Sequence, residues 1–248
     1  NESRANEINN MVVCGLKKIS IKQQEYLLFE EWKKQQEYSY FISDGVFDED
    51  EWNRQDYKIL FVLKEANWEN GNVDLCKYLL SEPKSSYWKT WNNIARWTKA
   101  ILIGGEYPKW VTKKDKTYWL RKIAAINLKK IGGGSAAQDK IIGYYAKKDR
   151  IFIKRQIELY KPDIIICCGR GKGKNADILH DVVFSAEEVS EWKKPVLQYN
   201  YFYIKMKEKG EVPVVSFYHP QMIGNHSLFA KRYEEMKVLA HNICYKEQ

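Results

Sequence analysis

Four short segments carry residue types that do chemistry, and each directly follows an apolar run. Lys64-Glu65-Ala66-Asn67-Trp68 sets a carboxylate, an amide and a large aromatic ring side by side. A carboxylate drawn out of bulk water can orient or deprotonate a water molecule as general base. Asn127 opens Asn127-Leu128-Lys129-Lys130-Ile131-Gly132-Gly133-Gly134-Ser135. Its amide offers an acceptor and two donors, enough to read a pyrimidine edge bidentately, and glycines permit close backbone approach. Gly169-Arg170-Gly171-Lys172-Gly173-Lys174-Asn175 alternates glycine with cation, which suits phosphate oxygens because N–H groups are accessible and positive charge is local. Tyr218-His219-Pro220-Gln221-Met222-Ile223-Gly224 puts a histidine before a proline. A histidine so restrained can donate to an oxygen on which negative charge develops.

Singly, each segment has a structural explanation that serves as well. Glu65 fits a helix cap or salt bridge, Asn127 a turn, the Gly-Arg-Gly-Lys stretch a solvated loop, and His219 a structural loop histidine. The alternating loop departs from nucleotide motifs. Cys168 stands where the first Walker glycine belongs, Asn175 replaces Ser or Thr, and the third glycine falls one position early for GxGxxG. Asp74, Asp139 and Asp177 form no convincing metal constellation that would support phosphoryl chemistry. What unites the segments is where they fall.

The preceding runs are residues 58–63 (KILFVL), 123–126 (IAAI), 163–168 (DIIICC) and 213–217 (PVVSF). They are apolar nearly throughout rather than alternating, as expected of strands covered on both faces. Helical patterns lie between them. Trp91, Ile94, Ala95, Thr98, Ile101 and Leu102 share a face, as do Ile153, Gln156, Ile157 and Tyr160 after an Asp149 cap. A last helix opening at Ser227 lines up Phe229, Tyr233, Met236, Leu239, Ala240 and Ile243. A first helix, capped by Ser20, carries Leu27, Leu28, Glu31 and Trp32 as an added layer, and residues 197–204 (LQYNYFYI) alternate like a hairpin or edge strand. Strands separated by helices predict an α/β fold: a three-layer α/β/α sandwich on a central, mostly parallel sheet of four or five strands. Residues 1–248 are expected to form one domain, with 1–55 a helical N-terminal extension. Ligands in such sheets bind beyond the carboxyl ends of the strands, where all four segments fall.

Forty-one Lys and Arg against thirty-two Asp and Glu give a charge of +9, which favours polyanionic partners, although excess lysine also serves solubility alone. No apolar run nears the roughly 18 residues that span a bilayer, and residues 1–10 are polar, so no membrane partner and a cytoplasmic location are expected. Cys14, Cys76, Cys167, Cys168 and Cys244 are odd in number and make no CxxC pair. Reduced thiols are expected, with neither a disulfide frame nor a metal site.

In order and spacing, from about residue 57 to 245, the segments resemble the uracil-DNA glycosylase superfamily. Lys64-Glu65-Ala66-Asn67 is similar to the G-E-A-P motif of its iron–sulfur branch, Asn127 with Lys129 to that branch's N-x-x-K, and His219-Pro220 to the last motif. Lys161-Pro162 through Gly169-Arg170 resembles the family's K-P, strand, G-R segment. The resemblance implies catalytic places for Glu65, Asn67 and His219 and a base-reading place for Asn127. It further implies that Trp68, Tyr87 or Trp88 stacks on the flipped base and that Met222 or Ile223 fills the vacated stack. DNA, double- or single-stranded, is the implied partner, with Lys129, Arg170, Lys172 and Lys174 on its backbone. Lys64 and Asn67 stand where the family usually has Gly and Pro, and the iron–sulfur cysteines are missing as a set, so no cofactor is expected. The implied activity is hydrolysis of the N-glycosidic bond of uracil or a larger modified pyrimidine such as glycosylated hydroxymethylcytosine, by a monomer, in repair or phage defence. The alternative is a catalytically inactive DNA-binding module of the same fold.

Overall fold

The computed structural model describes residues 19–81, 89–134 and 137–244. Its strands are β1 (Ile42–Ser43), β2 (Gly45–Val46), β3 (Ile59–Leu63), β4 (Val73–Asp74), β5 (Ala124–Asn127), β6 (Ile164–Cys168), β7 (Lys193–Val196), β8 (Tyr199–Met206) and β9 (Gly210–Phe217). Its α-helices are α1 (Ile21–Gln35), α2 (Glu49–Asn53), α3 (Leu75–Ser81), α4 (Lys89–Leu102), α5 (Lys113–Leu120), α6 (Asp139–Lys148), α7 (Arg150–Tyr160), α8 (Asn175–Ile178) and α9 (His226–Cys244). The fold is mixed α/β.

The four apolar runs become β5, β3, β6 and β9, neighbours in that order and all parallel. Every residue of β3, β5 and β6 is buried, which is why these runs read as continuous apolar stretches. Their side chains alternate between two apolar clusters. Leu60, Val62, Ile165 and Val214 join Leu28, Trp32, Phe152 and Ile157. Phe61, Ile166, Val215 and Phe217 join Trp91, Ile94, Tyr233 and Met236. The period of two along each strand thus sends alternate side chains into the two clusters, each buried apolar side chain contributing about 1.5–3 kcal/mol.

The sheet has seven strands, in the order β2-β5-β3-β6-β9-β8-β7, rather than the four or five expected. The additions are antiparallel: β2 on β5, and β8 and β7 beyond β9. Residues 197–204 do supply most of β8, as their alternation predicted. β2 spans two residues, too few to show a period, and β7 reads Lys-Lys-Pro-Val with an exposed face. Residues 1–55 are accordingly more than a helical extension, since β1 and β2 lie within them and β2 joins the main sheet.

Local expectations fare unevenly. Ser20 does cap α1, in a reciprocal box with Gln23, but Glu31 pairs outward with Arg155 while Glu25 turns inward. Asp149 makes no side-chain cap bond; its buried carboxylate accepts from Tyr38 Oη at 2.8 Å. α9 opens at His226, one residue early, with Tyr233, Met236, Leu239 and Ala240 buried as predicted. Among the described residues no helix is long and apolar enough to cross a membrane.

Candidate active site

The loops leaving β3 and β5 are laced together. Leu128 N donates to Leu63 O, Lys129 N to Lys64 O and Gly133 N to Ala66 O, each at 3.0 Å. The approach is too close for side chains: a Cβ on Gly132 would lie 1.8 Å from Trp68 O, and one on Gly133 would lie 1.9 Å from Glu65 Cδ. These two glycines serve contact between loops. Gly134 alone faces open space and lines a cleft, so it is the one that fits the expected approach of a ligand.

That cleft, of about 900 Å³, gathers residues from three strand ends: Glu65, Asn67 and Trp68 after β3, Asn127 closing β5, and His219, Met222 and Ile223 after β9. Trp68 is half-buried, its ring edge against Tyr78 at 5.2 Å. Met222 packs partly into the core, whereas Ile223 is 93% exposed at the lip. Tyr87 and Trp88 lie outside the described residues.

Glu65 is held from below. Lys129 Nζ lies 2.6 Å from its Oε2 and also donates to Gly132 O at 2.9 Å. Lys129 therefore points into the protein, 7% exposed, and not to a surface where the expected DNA phosphate would pass. Asn127 is tied just as closely, since Asp44 Oδ2 accepts from its main-chain N at 2.7 Å and its Nδ2 at 3.3 Å.

His219 Nδ1 accepts from Gln221 N at 3.2 Å, which leaves the ring proton on Nε2 in the neutral tautomer. Burial first, and then the nearby charge of Lys64, hold its pKa below the ordinary histidine value. The loop is anchored from α4. Asn93 Nδ2 donates to Pro220 O at 2.7 Å, and Arg96 steadies Asn93 Oδ1 at 2.9 Å while also binding Pro108 O and Lys109 O.

The loop after β6 stands outside the cleft lining. Arg170 donates to Tyr218 Oη at 2.9 Å and Gln198 O at 2.8 Å, its guanidinium over the Tyr199 and Tyr218 rings. Lys172 is exposed. Lys174 and Lys64 converge on the two oxygens of Asp139, which joins this loop to the β3 loop. Asn175, which broke the Walker pattern, is buried and donates to Val62 O and Cys168 O. Among the described residues, no group of His, Cys, Asp and Glu could hold a metal ion.

Asp44, Asn93 and Arg96 had no signal in the sequence. Asp44 precedes a glycine and reads as a turn residue, and the two α4 residues read as polar positions on an amphipathic helix. Compared with known proteins, the chain matches no family model, no curated protein and no solved structure. The site itself sets a carboxylate, an amide and a histidine around one solvent-connected cavity.

Proposed function

We propose that the chain is a DNA glycosylase of the uracil-DNA glycosylase type, a three-layer α/β/α protein that flips a base from DNA and hydrolyses its N-glycosidic bond. One observation carries this: Glu65, Asn127 and His219, from three different strand ends, line the same cleft. Cleavage develops positive charge on the sugar and negative charge on the departing base. Glu65 orients water and stabilises the sugar cation, and Nε2–H of neutral His219 donates to the base oxygen as charge builds there. Asn127 reads the base edge, Trp68 supplies an aromatic wall and Ile223 fills the vacated stack. A volume near the top of the roughly 300–1,000 Å³ range of ordinary ligand sites leaves room for a base larger than uracil. The substrate is thus uracil or a modified pyrimidine such as glycosylated hydroxymethylcytosine, met in repair or in defence against phage.

The test is release of base from oligonucleotides carrying uracil, hydroxymethylcytosine or its glucosylated form, followed by alkaline cleavage at abasic sites, with His219→Ala as control. Abasic sites that vanish in the variant support the activity; none on any substrate overturns it for these bases. A second reading, the catalytically inactive DNA-binding module, is favoured by the Lys129 contact, which leaves the Glu65 carboxylate already engaged. Glu65→Ala separates the two, because a glycosylase loses cleavage and keeps DNA affinity, whereas the module never cleaves.

A further inference from the structure

Asp44 belongs to none of the chemistry-bearing segments, yet four donors converge on its carboxylate. Oδ2 takes Asn127 N and Nδ2, and Oδ1 takes Lys130 Nζ at 2.5 Å and Gln156 Nε2 at 2.9 Å. Asp44 and Asn127 are each 3% exposed. An oxygen that accepts both the main-chain N–H and the side-chain amide of one residue lies on the Cβ side of that amide. It therefore uses the amide hydrogen anti to Oδ1. Oδ1 and the remaining hydrogen stay together as one acceptor–donor edge, on a residue that lines the cleft. Turning the amide over would exchange the Nδ2 donor for Oδ1, setting two acceptor oxygens against each other in a buried place while Asp44 keeps its other three donors, which is costly away from water.

We propose that Asp44 is the positioning residue of the cleft. It holds the Asn127 amide one way round, so that the cleft accepts one order of donor and acceptor on a pyrimidine edge and rejects the reverse. Uracil-type bases present N3–H beside a C4 carbonyl; cytosine-type bases present a bare N3 beside a 4-amino group. The inference rests on the glycosylase reading and adds the group that sets the class of base. A rival role is purely structural. Lys130 is fully buried, burial lowers its pKa, and Asp44 opposes that shift as its counter-ion.

The variant that separates the roles is Asp44→Asn combined with Lys130→Met, which removes both charges together and leaves neither buried alone. Excision is measured on oligonucleotides carrying a single uracil or a single cytosine-type base, plain, hydroxymethylated or glucosylated, with a melting curve to report folding. The wild-type protein is expected to favour one class by about a hundredfold or more, and the folded double variant to lose about tenfold or more of that ratio. A folded double variant with an unchanged ratio overturns the role of Asp44 and leaves it a counter-ion. A wild-type protein that releases no base overturns the glycosylase reading, and base selection with it. A second measurement needs no variant to fold. In the assigned nitrogen-15 spectrum of the wild-type protein, one side-chain amide proton of Asn127 exchanges with water far more slowly than its partner, and equal exchange overturns the proposal.

Discussion

The ammonium of Lys129 stands 2.6 Å from the carboxylate of Glu65, with 8% and 7% of the two side chains exposed. The pair joins the β5 loop to the β3 loop across their shared hydrogen bonds. Burying two charges gains little net stability, but deleting one leaves the other stranded, at a typical cost of about 3–5 kcal/mol. Lys129→Met is expected to destabilise the protein by about that amount in urea denaturation. A change within about 0.5 kcal/mol, the usual range for surface substitutions, would show that the pair is solvated in solution.

The three consecutive glycines give a graded test of loop contact. Alanine at Gly133 forces a methyl group onto the Glu65 carboxylate, whereas alanine at Gly134 meets no atom within 4 Å. Gly133→Ala is expected to cost about 1–3 kcal/mol, as overpacking does, and to displace Glu65 so that excision falls with it. Gly134→Ala is expected to leave stability unchanged. Equal melting temperatures for the two variants would contradict the close packing of the loops.

The parallel core was legible because burial on both faces leaves a continuous apolar run, and β3, β5, β6 and β9 all carry one. The strand-end rule then placed Glu65, Asn127 and His219 beside one another without knowledge of strand order. Charge is less legible in a sequence. A lysine in sequence has no direction, so Lys129 and Lys174 looked alike as phosphate contacts until their carboxylate partners were visible. Asp44 was illegible for a related reason: its partners Asn127 and Gln156 lie 83 and 112 residues away, and no local pattern marks a bond of that span.

On the glycosylase reading, His219 is expected to make activity and stability depend on pH in the same direction. Its folded-state pKa is depressed by burial and by Lys64. Between the folded and unfolded values the unfolded chain binds a proton that the folded one does not, so stability rises with pH across that window. The contribution is complete above the unfolded value of about 6.5 and is lost on acidification towards the lower folded value. Lys64→Met removes the second cause and is expected to raise the His219 pKa, moving the acid limb of the pH–rate profile upward. Proton NMR titration of the imidazole checks the same shift without catalysis, and an unmoved pKa would remove Lys64 as its source.

Lys172 and Lys174 differ in what they can still offer a phosphate. Lys172 is exposed, whereas Lys174 is already paired with Asp139. Each phosphate neutralised on duplex DNA contributes about 0.9 to the slope of log affinity against log salt. Lys172→Ala is expected to reduce the magnitude of that slope by close to this amount, and Lys174→Ala by clearly less. Fluorescence anisotropy across a salt series measures both, and equal losses would mean that Asp139 releases Lys174 when DNA binds.

Ile223 is 93% exposed beside a cleft whose neighbour Met222 packs into the core. Isoleucine left in water gains the fold nothing, so truncating it should change stability by no more than about 0.5 kcal/mol. Drawing a base out of a duplex costs a few kcal/mol, whereas a base in single-stranded DNA has no partner to leave. If Ile223 fills the gap left behind, Ile223→Ala lowers excision from duplex DNA far more than from single strands, with the melting temperature unmoved. An equal loss on both substrates would place the side chain against the flipped base itself, and no loss on either would remove it from the DNA interface.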